Sequence, residues 1–417
     1  MRRDGHLRTS HSPFLGTYHG LAETCCHCRT KRTGPPRGTV LLLTVYRYRY
    51  ECLAVPLPGA FSGSWNFWWQ AHLIGCMVDA VDREETPRSR RLLRRLARTH
   101  YRLNGRGWRH NPYFDDLAWV AVAVQRAERR GYVQGYEKAL QEVREKFEKA
   151  YNPQYGIPWR VGEDFWNTPA NGPAAIFFAR CGDKQGQDLA EQICDWMYHS
   201  LQLKDGPYQG LYADGLRLVD GKEQRVDKIY TYCQGVAMGA EMELALHSEG
   251  PTQQEHLRRV CEIVEACERS LLSPTGVVLA GGGGDGGLFK GILMRYLADV
   301  ARRMPEVDAA PGVPLWDGRL QQVQQAAARM VMRNAKAAWE TAAWLPEGML
   351  FSAKWNDLAQ LPLRVAQLDK KSGRATKVDG AVGSSAIAEQ DLSTQLSGWM
   401  AVEAAARLVR MGCSFGY

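Results

Sequence analysis

The sequence lacks a hydrophobic run long enough to cross a bilayer. The longest apolar stretch near its start, residues 40–46, is far shorter than the roughly 20 residues that a spanning helix needs. No small-residue cleavage site follows that stretch where a signal peptide would end. The sequence therefore predicts neither a membrane span nor a leader, and we expect a cytoplasmic protein.

Cysteine is present, but its spacing is not that of a disulfide framework or a zinc site. The eleven cysteines are odd in number and most stand singly in helical segments, which is typical of reduced thiols. Cys25, Cys26 and Cys28 cluster beside His27, yet no second ligand pair follows at zinc-finger spacing. We therefore expect no metal ion and no disulfide.

A glycine-rich run, residues 281–291, lacks the residue order that binds nucleotide phosphates. A phosphate-binding loop needs Gly-Lys-Ser/Thr at the start of a helix, whereas here Lys290 precedes Gly291. Two interpretations stay open. The run is either a plain linker or a flexible loop whose backbone, with Asp285 and Lys290, approaches a ligand.

Acidic residues are fewer than basic ones, 45 against 53, and part of the excess comes from residues 86–98. Thr86 and Pro87 begin a helix there, leucines form its buried stripe, and arginines line its solvent side. No aromatic interleaving or DNA-reading module is present, so we expect no nucleic-acid partner. The favoured interpretation is a solvated helix face, and the alternative is contact with an anionic lipid surface or glycan.

From Trp65 onward, apolar residues recur at the three- and four-residue spacing of amphipathic helices. The stretches lie near residues 65–82, 87–103, 115–130, 133–149, 171–181, 186–201, 229–247, 253–270, 287–304, 317–340 and 391–411. Residues 1–60 are basic, punctuated by Gly and Pro, and without sustained period. We therefore predict a poorly ordered extension, residues 1–60, followed by one helical domain, residues 61–417, in a monomeric protein.

The connections between these stretches alternate between short and long. Short ones lie at 131–132, 182–185 and 248–252, and long ones at 150–170, 202–228 and 271–286. Helical hairpins stacked in a ring produce this alternation, with tight turns on one rim and site-building loops on the other. Residues 341–389 interrupt the helical period, and we expect a long loop or a small β excursion there.

Two adjacent acids, Asp115 and Asp116, lie at the start of an apolar helical segment. Like charges beside apolar surface raise the proton affinity of one of them, which suits general acid/base chemistry. The alternative is structural, because Asp is a preferred N-cap and acids complement the helix dipole. Trp119 follows at helical spacing, so both acids lean toward an indole on which a sugar ring can stack.

Further aromatic and amide side chains lie at helix starts. Trp69 belongs to a dense cluster with Trp68, and such clusters form either a core or a carbohydrate platform. Tyr230, Tyr232 and Gln234 offer hydroxyl and amide groups suited to sugar hydroxyls. Each of these patterns alone is weak evidence for a sugar-binding site.

Taken together and in this order, six segments resemble those of glycoside hydrolase family 76, the α-1,6-mannanases. They are residues 68–72 (WWQAH), 115–119 (DDLAW), 167–173 (NTPANGP), 230–235 (YTYCQG), 286–297 (GGLFKGILMRYL) and 392–399 (LSTQLSGW). The resemblance covers roughly residues 64–412. The combination is specific, although each motif alone is not.

The resemblance implies an all-α protein, an (α/α)6 barrel of stacked helical hairpins with its catalytic cleft on the long-loop rim. It implies endo-acting hydrolysis of α-1,6-mannosidic bonds in mannan or manno-oligosaccharides, with retention of configuration and without metal or cofactor. Carried over by position, Asp115 is the nucleophile and Asp116 the general acid/base. The candidates for substrate binding are Trp69, Trp119, Asn171, Tyr230, Tyr232, Gln234, Asp285 and Lys290.

The sequence departs from the family pattern at two positions and in the number of predicted helices. Cys233 stands where the family usually has Asn, and Trp166 where a Lys is expected before Asn167. Both lie on expected subsite walls, so the substrate preference stays open. The barrel needs twelve helices against about eleven predicted, and we expect the twelfth to be short or irregular, within residues 1–60 or 341–389.

Other functions share parts of this pattern. A transglycosylase would use the same glycosyl-enzyme intermediate and pass the sugar to another sugar instead of water. A mannan-binding member without turnover would be expected to lack one acid, and both are present. Helical-barrel epimerases and zinc-dependent cyclases need a His pair or a Cys/His cluster, which the core segments lack.

Overall fold

The structure is a computed structural model that describes residues 66–308, 318–345, 348–360, 377–378, 381–384 and 387–411. The described helices are α1 Phe67–Arg83, α2 Pro87–Leu103, α3 Phe114–Arg129, α4 Glu137–Ala150, α5 Thr168–Ala179, α6 Lys184–Ser200, α7 Thr231–Ala245, α8 Gly250–Ser270, α9 Gly286–Asp308, α10 Arg319–Glu340 and α11 Leu392–Arg410. These eleven helices match the eleven stretches of helical period. The predicted extension, residues 1–60, and its cysteine cluster lie outside the described residues.

The odd-numbered helices form the inner ring of a barrel. Each packs against the next odd-numbered helix, and α11 packs against α1, so the ring of six is closed. The even-numbered helices lie outside, each against the inner helix that precedes it in the chain. The all-α, (α/α)6 barrel expected from the sequence is therefore confirmed.

The division between inner and outer helices follows from their composition. α5 buries all twelve of its residues, and α7 buries every residue except Tyr232. α2 buries a leucine stripe and exposes most of its arginines. A helix that is apolar or small on all sides is stable only when neighbours cover it all round, so α5 and α7 lie in the inner ring.

Small residues let inner helices approach one another closely. A Cβ at Gly239 on α7 would lie 2.4 Å from the Tyr296 ring on α9, and one at Gly235 would lie 3.1 Å from the Leu293 Cα. Larger side chains at these positions would force the two helices apart. The glycines of the YTYCQG segment and its continuation thus set the spacing of the ring.

The long connections all precede inner helices, and the short ones precede outer helices. The long ones span residues 104–113, 151–167, 201–230, 271–285 and 341–391. The N-termini of the inner helices and the long loops therefore share one rim, as the loop alternation predicts. The positive ends of the helix dipoles face that rim.

Short antiparallel strands shape the long loops. They are β1 Phe165–Asn167, β2 Gly215–Val219, β3 Lys222–Val226, β4 Ala343–Leu345, β5 Gly348–Leu350, β6 Lys377–Val378 and β7 Ala381–Val382. β1, β2 and β3 form one sheet in that order, with Phe165 opposite Arg217, and β1 leads directly into α5. The hairpins β4–β5 and β6–β7 confirm the predicted β excursion in the described part of residues 341–389.

Five outer helices occur among the described residues, one fewer than the inner helices. The described parts of residues 341–389 contain strands and bends, and one 3-10 turn spans residues 388–390. Residues 1–60, the other predicted location, are outside the described part. None of the described helices is long and apolar enough to span a membrane.

Candidate active site

Asp115 and Asp116 occupy the first turn of α3, on the long-loop rim. Tyr113, rather than an aspartate, is the N-cap residue, and no side chain caps this helix. The structural alternative of an aspartate N-cap is therefore wrong. Because neither carboxylate is used as a cap, both remain at the positive end of the helix, where a negative charge is stabilised.

The Asp115 carboxylate is held by two donors. Trp159 Nε1 donates to its Oδ2 at 3.0 Å, and the Asp116 backbone N–H donates to its Oδ1 at 2.9 Å. Burial raises the pKa of Asp115 to about 7, the two hydrogen bonds act in the opposite direction, and the charge of Asp285 raises it further. This carboxyl therefore titrates near neutral pH.

The Asp116 carboxylate has different surroundings. Asn111 Nδ2 donates to its Oδ2 at 2.8 Å, and the same Asn111 accepts the Tyr113 backbone N–H at 2.9 Å. Asn111 thereby ties the loop before α3 to the second acid. The two adjacent acids are therefore positioned separately. Asp115 is held by the distant loop that carries Trp159, and Asp116 by the loop directly before α3.

An aromatic wall lies on the same rim as these acids. We use this term for four rings, those of Trp68 on α1, Trp119 on α3, Tyr232 on α7 and Phe289 on α9. Consecutive ring centroids are 6.3, 6.4, 4.1 and 6.4 Å apart around the circuit, and the Tyr232 and Phe289 rings are stacked. Indole and phenol faces of this kind bind the apolar faces of sugar rings.

Asp285 fixes the aromatic wall from the glycine-rich run. Its Oδ1 accepts the indole N–H groups of Trp68 and Trp69, at 3.0 and 2.9 Å, and its Oδ2 accepts the Val382 backbone N–H at 2.7 Å. Gly284 precedes it with φ of +60°, where a Cβ would lie 2.2 Å from the Val382 carbonyl oxygen. This segment is thus an ordered support for the site, rather than the flexible loop or plain linker considered from sequence.

Residues 42–359 match the model of glycosyl hydrolase family 76, which is more than half of the chain. The chain belongs to glycoside hydrolase family 76. Its (α/α)6 barrel is the fold of that family. The resemblance read from the six segments is confirmed.

Solved structures of family 76 share the fold. The α-1,6-mannanase of Salegentibacter sp. is 24% identical with a TM-score of 0.69, over 94% of this chain and 99% of that chain. An inactive variant of that enzyme has two consecutive aspartates replaced by asparagine and α-1,6-mannotriose bound. It is 26% identical with a TM-score of 0.65, over 83% of this chain and 90% of that chain. A family 76 hydrolase from a bovine Bacteroides thetaiotaomicron strain is 13% identical with a TM-score of 0.63, over 96% and 78%. The comparison with curated proteins gave no match.

The structure brings most of the sequence candidates of this family 76 enzyme to one rim. Trp69 and Trp119 are almost fully buried, with 2% and 4% of their surface exposed, whereas Tyr230 and Tyr232 remain partly exposed. The Tyr230 ring lies 5.2 Å from Phe289, next to the aromatic wall. Tyr230 and Tyr232 therefore present their rings where a sugar can reach them.

Three candidates are fully buried and bonded to backbone. Asn171 exchanges hydrogen bonds with the Ile157 N–H and C=O, and Gln234 does the same with Tyr212. Lys290 Nζ donates to the Ala353 carbonyl at 2.8 Å, and burial lowers its pKa to about 7. Each of these side chains holds a long loop onto an inner helix.

The sequence interpretation missed Trp159 and Asp214. Asp214 precedes β2, and burial raises its pKa to about 6, while the nearby Arg217 and Lys228 charges act in the opposite direction. Burial raises the pKa of Tyr232, and the neighbouring charges that act in the same direction include that of Asp214, which places this acid near the aromatic wall. Neither residue lies in a helical segment or a motif, so no local signal could have found them.

The two departures from the family pattern lie inside the protein. Cys233 is fully buried on α7, and burial raises the pKa of its thiol. Trp166 on β1 stacks on Tyr155 at 4.5 Å between centroids. The six cysteines in the described part of the chain are free thiols. That part contains no group of three or more His, Cys, Asp or Glu side chains arranged to hold a metal ion.

Proposed function

We propose that this chain hydrolyses α-1,6-mannosidic bonds within mannan or manno-oligosaccharides, with retention of configuration. The observation that carries the proposal is the adjacent, separately held acid pair Asp115 and Asp116 beside the aromatic wall. The neighbour that is 26% identical supports the linkage, because its inactive variant holds α-1,6-mannotriose and lacks two consecutive aspartates.

In the first step, Asp115 attacks the anomeric carbon of a mannosyl unit. The glycosidic bond breaks as the new ester bond forms, and Asp116 gives its proton to the departing oxygen. Trp159 Nε1 and the Asp116 N–H stabilise the ionised Asp115 and aim it. Sugar rings stack on the aromatic wall, which positions the scissile bond over the pair.

In the second step, Asp116 takes a proton from water, and that water attacks the anomeric carbon and releases Asp115. Two inversions at one carbon give net retention. Because a nucleophile must be ionised, the raised pKa of Asp115 makes activity fall as the pH drops below about 7.

A second assignment has one observation in its favour. A carboxyl with a pKa of about 7 is also suited to act as a general acid, so the same geometry fits exchanged roles for Asp115 and Asp116. The adjacent pair and the retaining course are common to both assignments. Azide rescue of the two glycine variants separates them.

The buried candidates act on the substrate indirectly. Asn171, Gln234 and Lys290 hold the loops that carry Trp159, Tyr212 and Ala353, respectively. Asp285 orients Trp68 and Trp69 by accepting both indole N–H groups. We assign these four residues to positioning, and Tyr230, Tyr232 and the partly exposed Trp68 to contact with sugar.

The test uses linear α-1,6-manno-oligosaccharides with product sizing and time-resolved NMR of the new reducing end. The proposal predicts internal cleavage and products that first appear as the α-anomer. First appearance of the β-anomer, or cleavage confined to other linkages, would contradict it. Adding an acceptor mannoside separates hydrolysis from transglycosylation, because only transfer lengthens the acceptor.

A further inference from the structure

A cavity of about 30 Å³ lies inside the inner ring, deeper than the aromatic wall. His72 and Trp119 line the end nearer the acid pair, and Arg126, Arg180 and Arg295 line the other part. Trp119 and Arg126 are seven residues apart on α3, which is roughly 10 Å along the helix axis. The cavity therefore begins at Trp119 of the aromatic wall and extends away from the acid pair toward Arg126.

The charged groups around this cavity do not balance. The arginines are Arg126, Arg180, Arg295, Arg302, Arg303 and Arg407, and the carboxylates paired with them in the described part of the chain are Asp79, Glu243, Asp299 and Glu306. Six positive groups minus four negative groups leave two positive charges in excess. An uncompensated buried charge is strongly unfavourable.

Hydrogen-bond donors are also in excess here. Arg295 Nη1 lies 3.3 Å from His72 Nδ1, and because a guanidinium only donates, His72 must accept there and carry its proton on Nε2. His72 is 4% exposed, and its Nε2 has no hydrogen-bond partner among the described residues. The buried Nε of Arg126 is likewise unsatisfied within that part of the chain. Two donors at this cavity thus need an acceptor.

The carboxylate that lines the cavity is already paired. Asp299 lines the cavity, but its carboxylate is held by Arg407 at 3.1 Å and by Arg302 at 3.8 Å. A water molecule would bring two further donors, whereas an anion brings only acceptors and a compensating charge. A buried water needs roughly 10–15 Å³ of such space, so this cavity of about 30 Å³ is large enough for a monatomic anion.

We propose that this cavity is a structural binding site for a halide ion, chloride in most media, between His72, Arg126, Arg180 and Arg295. The ion neutralises part of the arginine excess and accepts the free His72 and Arg126 N–H groups. It stabilises the inner ring beneath the acid pair. Burial lowers the pKa of His72 well below its usual value, with the Arg295 charge acting in the same direction, so the ring stays a neutral donor.

The test is thermal unfolding of the full chain in bromide, with gluconate replacing bromide at constant ionic strength. A bound halide stabilises the folded state by mass action, so Tm should rise by roughly 2–5 °C and saturate over an approximately 100-fold range of bromide. A surface charge effect would not saturate and would be matched by gluconate. Absence of a saturable rise would overturn the proposal.

Two variants and a matched control locate the effect. Ala123→Leu fills the cavity without changing charge, and Arg180→Gln removes a lining guanidinium. Arg303→Gln is the control, because Arg303 binds the same Glu243 Oε1 as Arg180 but does not line the cavity. The bromide-dependent rise should be lost in the first two variants and retained in the control. An equal rise in all three, or an equal loss in Arg303→Gln, would contradict a site in this cavity.

Anomalous diffraction from bromide-soaked crystals gives an independent readout. The expected peak lies within hydrogen-bond distance of His72 Nε2 and the Arg126 side chain. Ordered water at that position, with no anomalous signal, would rule out the halide even if the thermal data showed a rise.

Discussion

Trp159 and Asp115 lie 44 positions apart in sequence and are joined by a 3.0 Å hydrogen bond from the indole Nε1 to the carboxylate Oδ2. The bond crosses from a long loop to the first turn of α3. It stabilises the ionised form of a carboxyl whose pKa burial has raised to about 7. The ionisation of Asp115 is therefore set by a balance between burial, which favours the acid, and this donor, which favours the carboxylate.

Trp159→Phe removes that donor and keeps the aromatic surface. Without the bond the Asp115 pKa rises further, so the acidic limb of the kcat profile should move to higher pH by about 1 unit, the equivalent of one hydrogen bond of roughly 1 kcal/mol. The measurement is the pH dependence of mannotetraose cleavage. Trp344→Phe, at a tryptophan that is 56% exposed, is the matched control and should leave the profile unchanged. If the acidic limb of Trp159→Phe lay at the same pH as that of the wild type, the hydrogen bond would have no effect on the titration of Asp115.

Asp285→Asn should move the same limb in the opposite direction. The Asp285 charge raises the Asp115 pKa, so an uncharged side chain lets Asp115 ionise at lower pH. The amide can still accept the two indole N–H groups or the Val382 N–H, but not all three, so kcat should also fall several-fold at the optimum. The pH profile separates the two effects. A limb shifted to higher pH would contradict the electrostatic account.

Gly284→Ala should destabilise the protein by roughly 2–4 kcal/mol. Gly284 has φ of +60°, and an added Cβ would lie 2.2 Å from the Val382 backbone oxygen, so both strain and a clash oppose it. Urea unfolding measures the loss. Gly286→Ala is the matched control, because a Cβ there meets nothing within 4 Å, and its stability should be close to wild type. Equal stabilities of the two variants would mean that the turn does not constrain the glycine-rich run.

Lys290→Met tests whether this buried lysine binds substrate. Because its Nζ contacts a backbone carbonyl inside the protein, KM for mannotetraose should change less than about threefold, a difference of well under 1 kcal/mol. A rise in KM of tenfold or more, with unchanged stability, would instead indicate direct contact with the sugar.

The same variant has a pH signature in stability. Burial lowers the Lys290 pKa from 10.5 to about 7, so between these values the unfolded chain binds more protons and the free energy of unfolding of the wild type rises with pH. Lys290→Met should lose this rise between pH 7 and pH 9, whereas Lys354→Met, at an exposed lysine, should keep it. A rise of the same size in both variants would show that Lys290 does not cause it.

The helical barrel was predictable because its signals are local. Each stretch of three- and four-residue period corresponds to one helix, and Thr86 with Pro87 marks the start of α2 as expected. Close packing of the inner ring at Gly235 and Gly239 also follows from runs of small residues. Such features depend on neighbours a few positions away, so the sequence alone displays them.

The site was predictable only in part, because its electrostatics come from distant contacts. The Asp115–Asp116 pair is visible in sequence, but Trp159 and Asp285 act on it across 44 and 170 positions. Asn171 and Lys290 belong to the motifs, yet their polar atoms bind backbone inside the protein. A motif identifies which residues matter, whereas burial and partner choice decide what each one does.

The division of labour between Asp115 and Asp116 is tested most directly by azide rescue of the glycine variants on an aryl α-1,6-mannobioside, whose phenolate leaves without protonation, with NMR of the glycosyl azide formed. If Asp115 is the nucleophile, azide replaces it in Asp115→Gly and gives the β-azide by a single inversion, whereas Asp116→Gly still forms the mannosyl enzyme and gives the α-azide after two inversions. The opposite pattern of anomers would exchange the two roles. Rescue of neither variant, with the fold intact, would contradict the claim that this pair carries a double displacement.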